Sequence, residues 1–201
     1  MKFVIAYQSS LIDNDIDTQI DFLFPAGALY APGAEKIVGT VAKLNHHAAK
    51  HRIPVVATMD AHSENDPEFH DWPHHCVVDT IGQQKPASTL LEKRVIVPNS
   101  PCAPYLTLND QILLEKQTFS ALSNLNFALL LDHFAAERYV VYGVVTEVCV
   151  KFAAFGLLET GKRVEIVTDA VCALNEENGA KTLAEFTAMG GHLTHAGMIY
   201  A

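Results

Sequence analysis

The sequence predicts an α/β domain with three layers, α/β/α, around a mainly parallel sheet of about six strands. Two observations point there. From Gln111 onward, strand-like and helix-like segments alternate, the pattern of a parallel sheet covered on both faces. Four strand-like runs also end in, or lead directly into, a reactive side chain: Asp17, Asp60, Lys116 and Cys149. Open parallel sheets carry their sites outside the carboxyl ends of the strands, so this fold would bring the four ends together.

The elements follow in order. After the apolar start Phe3-Val4-Ile5-Ala6, Leu11 to Ile16 forms the first of the four runs. A loop bearing Pro and Gly runs from Pro25 to Gly33. Ile37, Val41, Leu44 and Ala48 then recur at intervals of three or four, which marks a helix with Pro32 near its start. Ile53 to Met59 reads as a buried strand. Ser63 to Thr80 is polar, aromatic and rich in His, a long functional loop. Residues 81–109 are irregular and rich in Pro, with one strand-like piece, Val95-Ile96-Val97. They read as an insertion over the sheet, within a single domain spanning 1–201. Next come a strand from Gln111 to Leu114 and a helix from Asn126 to Glu137, with Phe127, Leu130, Leu131 and Phe134 on one face. A strand from Arg138 to Val145 leads to a helix from Cys149 to Glu159, ended by Gly161. A strand from Val164 to Val167, a helix from about Glu177 to Met189 and a last strand from His192 to Ile199 complete the chain.

Composition narrows the function. The 201 residues are 49% hydrophobic and 18% charged, enough apolar material for a large core and too much for disorder. The net charge of −9 comes with no basic cluster, which argues against nucleic acid as a partner. Four cysteines without CxxC spacing suggest neither a disulfide framework nor a zinc finger, and fit a reducing compartment. No run approaches the roughly 18 apolar residues of a membrane span, and Phe3 to Ala6 is too short for a signal-peptide core. A cytoplasmic protein with no membrane partner is expected.

Cys149 falls just after a strand, where a helix should begin. Amides and the helix dipole at such a place favour a thiolate and can bind an oxyanion. The alternative is a buried structural cysteine, the reading that wins for Cys76, Cys102 and Cys172. Asp17 could take the thiol proton and pass it to a leaving amine, and Lys116 could hold the local field positive. Alone, each would read as a loop aspartate or a surface lysine; their shared position at strand ends favours the site. Asp60 and His62 face the same side of an extended chain, and a third metal ligand could come from Trp72-Pro73-His74-His75-Cys76. One carboxylate and two imidazoles suit zinc, iron or manganese; a cluster of solvated histidines is the alternative. The acidic series Asp13, Asp15, Asp17, Asp21 is not a calcium loop, because its sixth position is Thr18 rather than Gly and its twelfth is Phe24 rather than Glu.

Taken together, the blocks Asp17 to Phe22, Asp60 to His62, Trp72 to Val77, Lys116 to Ser120 and Gly143 to Val150 resemble the nicotinamidase branch of the isochorismatase-like cysteine hydrolases. Single blocks are short, but five in the right order span nearly the whole chain. The resemblance implies the isochorismatase-like hydrolase fold and a catalytic triad of Asp17, Lys116 and Cys149. It implies an oxyanion hole from the amides of Val145 and Cys149, after a cis peptide between Val144 and Val145. Metal ligands would be Asp60, His62 and His75, with zinc the first choice and iron or manganese as alternatives. Phe22 and Trp72 would sandwich a flat aromatic substrate, and Glu64 or Glu68 could add a fourth metal contact. The implied activity is hydrolysis of nicotinamide, or a similar heteroaromatic carboxamide, to acid and ammonia through a thioester, in the service of NAD salvage. A related hydrolase of another small amide or carbamoyl compound, and a non-catalytic metabolite binder, are the alternatives. A homo-oligomer is expected by the same resemblance. Ala61 between the two ligands and Val148 before the nucleophile depart from the usual pattern and bear on substrate choice.

Overall fold

The computed structural model describes residues 10–102 and 111–199. The apolar start Phe3 to Ala6 and the last part of the 81–109 stretch lie outside the described residues. Seven strands form one sheet: β1 (Leu11–Ile16), β2 (Val55–Asp60), β3 (Arg94–Val97), β4 (Gln111–Lys116), β5 (Arg138–Val144), β6 (Arg163–Cys172) and β7 (His192–Thr194). Their spatial order is β3-β4-β2-β1-β5-β6-β7, and every pairing is parallel. From β1 the chain lays β2 beside it, then the edge strand β3, then β4 between β3 and β2, and crosses back to β5 on the other side, so the sheet changes direction around β1. Such a switch point leaves a crevice at the carboxyl ends of the strands.

Helices cover both faces. On one, α2 (Val38–Lys50) packs Val41 and Leu44 into a cluster with Val140 and Tyr142, while Ala48 joins Val55 and Ala57. On the other, α3 (Phe127–Phe134), α4 (Lys151–Leu158) and α5 (Glu176–Ala188) supply Phe127, Leu130, Ala153, Leu157 and Phe186 against Ile12, Val56, Ile112 and Val141. The apolar spacing of α2 and α3 is the one their sequences show. Two short helices, α1 (Ile20–Leu23) and α6 (Ala196–Ile199), complete the set. β2 is buried along its whole length, as expected of a strand covered on both faces.

Several expectations need correction. Among the described residues the sheet has seven strands rather than about six, because Val95 to Val97 pairs with β4 as an edge strand instead of lying over the sheet. The unpaired main chain of β4 gives that segment its hydrogen bonds. The last segment is not one strand: β7 ends at Thr194 and α6 follows. The Asp169 carboxylate accepts the Ala196 amide at 2.8 Å and starts that helical turn from outside it. Helix α3 stops at Phe134, short of Glu137, where Ala135 turns left-handed at φ 48°. β6 continues well beyond Val167, to Cys172. The helix expected at Cys149 begins earlier, with a π-helical turn over Thr146–Val150 before α4.

Gly143 is dictated by close approach. It sits at φ 122°, and a Cβ there would lie 2.0 Å from the Ile16 carbonyl oxygen on the neighbouring strand. Only glycine lets β5 run this close to the end of β1.

Candidate active site

Asp17 follows β1 in a left-handed conformation, φ 47°. Thr58 on β2 holds it: the Thr58 hydroxyl donates to Asp17 Oδ1 at 2.7 Å and accepts the Asp17 amide at 3.1 Å. Register places Asp60 beside Lys116 at the ends of β2 and β4. Lys116, 1% exposed, sets its ammonium 2.8 Å from Asp17 Oδ2, against Asp60 Oδ1, and 3.8 Å from Cys149 Sγ. The four strand-end residues therefore meet, with the lysine at the centre.

The electrostatics follow from burial. Burial alone disfavours charge on Lys116, but Asp17, Asp60 and Cys149 outweigh it and hold its pKa well above the ordinary lysine value. Burial pushes the Cys149 thiol well above the usual range, more than Lys116 pulls it down. Burial thus opposes the thiolate that a helix start and Lys116 favour. Cys149 is the fourth residue of the π-helical turn and is buried, so desolvation dominates. An Asp17 hydrogen bond to the thiol adds to the effect. The residue before the turn, Val145, is extended, and the Val144–Val145 peptide is cis.

Beside this group stands a second. Ligand atoms of Asp60, His62 and His75 all lie within 4.8 Å of one another. Asp60 Oδ2 is 3.9 Å from Nε2 of both histidines. His62 Nδ1 lies 3.1 Å from Asp66 Oδ2, and His75 Nδ1 lies 2.7 Å from the Pro73 carbonyl oxygen. Each ring thus has an oxygen behind it and presents Nε2 to the cluster, the arrangement that orients metal-binding imidazoles. His62 is fully buried, yet neither of its ring nitrogens makes a well-aligned hydrogen bond among the described residues: Nδ1 has only the nearby Asp66 carboxylate, and Nε2 faces the cluster. A buried orphan nitrogen beside a carboxylate and a second imidazole fits a divalent cation of the zinc, iron or manganese kind. Glu68 Oε1 is 3.8 Å from His75 Nε2, whereas Glu64 is exposed to solvent.

A cleft of about 390 Å³, including its open mouth, lies over both groups and is lined by Phe22, Trp72, Asp60, His75 and Cys149 among others. Its walls are mostly apolar. Phe22 packs against His75 with ring centroids 5.4 Å apart. The sequence reading missed Phe119, Leu29 and Leu174, which also line the cleft. Phe119 meets Trp72 edge-on at 6.1 Å. It lies three residues after Lys116, and that position was the one available signal. Thr58 was missed too, since a threonine inside an apolar strand carries no mark of its partner.

Comparison with known proteins agrees with this arrangement. The model of the isochorismatase domain matches residues 15–197. The chain belongs to the isochorismatase family. Within the family its relatives fall where the motifs pointed. It is 25% identical over 205 residues to the nicotinamidase of Escherichia coli (strain K12), covering 89% of this chain and 91% of that protein. It is 24% identical over 198 residues to the nicotinamidase of Saccharomyces cerevisiae (strain ATCC 204508 / S288c), covering 81% of this chain and 88% of that one. Among solved structures it is similar to the pyrazinamidase of Pyrococcus horikoshii in complex with zinc. There the TM-score is 0.77 and the identity 25%, over 93% of this chain and 99% of the other.

Proposed function

We propose that this isochorismatase-family hydrolase is a metal-dependent amidase that converts nicotinamide, or a similar heteroaromatic carboxamide, to the acid and ammonia. One observation carries the reading. The Lys116 ammonium joins a buried carboxylate and a buried thiol to Asp60, and Asp60 in turn faces two imidazoles beneath an apolar cleft. The relatives named nicotinamidase and the zinc-bound pyrazinamidase support the same reading.

Asp60, His62 and His75 would hold the cation, zinc before iron or manganese. When bound, it supplies a Lewis-acid anchor for a ring nitrogen of the substrate. Phe22 and Trp72 flank the flat ring. Burial raises the pKa of the Cys149 thiol, so a base helps it react, and Asp17 takes its proton as sulfur attacks the carboxamide carbon. The amides of Val145 and Cys149 receive the developing oxyanion. Asp17 returns the proton to the departing nitrogen, so ammonia leaves and a thioester remains on Cys149. Asp17 then deprotonates a water molecule that attacks the thioester, which releases the acid and restores the thiol. Lys116 stays charged throughout and steadies both anions. The protein is proposed to work in the cytoplasm as a homo-oligomer.

The test is ammonia release from nicotinamide by protein reconstituted with zinc, manganese or iron in turn. Metal-dependent release is expected. Cys149→Ala should abolish it while circular dichroism stays unchanged; activity retained in that variant overturns the covalent route. No release with any metal would transfer the assignment to another small amide or carbamoyl substrate.

A further inference from the structure

Besides Thr18, which bonds to Asp15 and Lys85, the motif that begins at Asp17 has two more polar residues, Gln19 and Asp21, which the chemistry above does not use. We propose that they are positioning residues for the metal ligands, Gln19 for Asp60 and Asp21 for His75. The inference rests on the metal-dependent reading.

Gln19 is fully buried. Its Oε1 accepts the Asp60 amide at 2.7 Å, and its Nε2 donates to the Asp60 carbonyl at 2.8 Å. The same Nε2 donates to the Gln83 carbonyl, also at 2.8 Å. One side-chain amide thus pairs with both main-chain groups of Asp60, as a neighbouring strand would. A side chain must carry donor and acceptor together to do this, and Asn is one methylene shorter. The consequence falls on a carboxylate with two duties. Asp60 Oδ1 meets Lys116, and Oδ2 faces the Nε2 atoms of His62 and His75. A backbone free to rotate would exchange one contact for the other.

Asp21 acts two residues further on. Its Oδ2 accepts the Cys76 amide at 2.7 Å and its Oδ1 accepts the Ala28 amide at 3.0 Å. Cys76 directly follows His75 and has φ 46°, a conformation that a residue with a side chain keeps only when its surroundings hold it there. The Asp21 carboxylate therefore fixes the turn from which His75 projects. Gly82 packs directly on that carboxylate: a Cβ there would lie 2.0 Å from Asp21 Oδ2. Gly82→Ala would displace Asp21 without altering any polar group.

The experiment is zinc affinity, measured by competition with a chromophoric chelator, on the wild type, Gln19→Met, Gly82→Ala and Val41→Ala. Gln19→Met and Gly82→Ala should bind zinc at least about tenfold more weakly, the usual effect of losing a group that orients a metal ligand. Val41→Ala opens a cavity in the core under α2, in the cluster that also holds Cys76, but removes no polar contact to Asp60 or to the turn after His75, and should lose stability while its zinc affinity stays within about twofold of wild type. Gln19→Glu, which removes both donated bonds by changing one atom, replaces Gln19→Met if that variant does not fold, and Asp21→Asn likewise replaces Gly82→Ala. Unchanged zinc affinity in the Gln19 and Gly82 variants overturns the positioning role. So does an equal loss in Val41→Ala, which would make the effect one of general stability. A wild-type protein that binds no zinc, manganese or iron overturns the metal reading itself, a result separate from either of these.

Discussion

Lys116 shows how much one side chain depends on its partners. A buried ammonium is costly alone, and here two carboxylates reverse the balance. Replacing it by Met leaves Asp17 and Asp60 buried beside an apolar group. In metal-free protein this should cost about 3–5 kcal/mol, the usual penalty for stranding a buried charge. Urea denaturation of the metal-free forms would measure it; equal midpoints would show that the carboxylates simply take up protons. Ammonia release should fall by at least about 100-fold, since neither the thiolate nor the carboxylate keeps its counter-charge. The candidate residues Asp17, Asp60, Lys116 and Cys149 were legible because each ends or directly follows an apolar run. Gln19 and Thr58 were not, because their partners lie 41 residues away in the chain.

Among the elements, β1 and β5 carry the tightest constraints. Gly143→Ala would drive a Cβ into the Ile16 carbonyl in a backbone region that side chains disfavour. A loss of several kcal/mol is expected, at the level of other strained core changes, and thermal melting would detect it. Asp13, in the middle of β1, lies fully buried with the Tyr142 hydroxyl 3.5 Å away. Burial, opposed by Arg138, pushes its carboxyl up to about 7. A carboxyl raised on folding keeps its proton in the folded state while the unfolded chain loses it. Its favourable share is therefore present below the unfolded pKa of 3.8 and is lost as pH rises toward about 7. Asp13→Asn should match wild type near pH 3.5 and be more stable above pH 7 by a few kcal/mol, on the order of the shift itself. Parallel denaturation curves across that range would check this, and a constant difference at all pH values would refute it. The elements themselves were mostly legible from periodicity. Two short apolar pieces depend on what lies beside them: the sequence reads β3 as strand-like but places it over the sheet, and reads α6 as the end of a strand. The main chain of β4 recruits one, and the Asp169 carboxylate caps the other.

At the scale of the molecule, the two halves of the site come from opposite sides of the switch in the sheet. Asp60, His62 and His75 belong to β2 and the loop after it, while Cys149 follows β5. A cation held by the three ligands should tie the loop to the sheet. Zinc at about 100 times its dissociation constant should add about 2.7 kcal/mol to the stability of the metal-free protein. Calorimetry with and without a chelator tests this, and Asp60→Asn should abolish most of the gain. An identical transition in both conditions would argue that no cation binds the folded form.

The sequence by itself determined the parallel α/β class, the four strand-end residues and the blocks that mark the family. These are local: a run of apolar residues, its length and the side chain that ends it are all readable within a few positions. Only the tertiary structure decided how far burial opposes the Cys149 thiolate, which walls close the cleft, and what holds Asp60 and His75 in place. Burial, register and hydrogen bonds between distant segments set those features, and they exist only once β1, β2, β4 and β5 lie side by side.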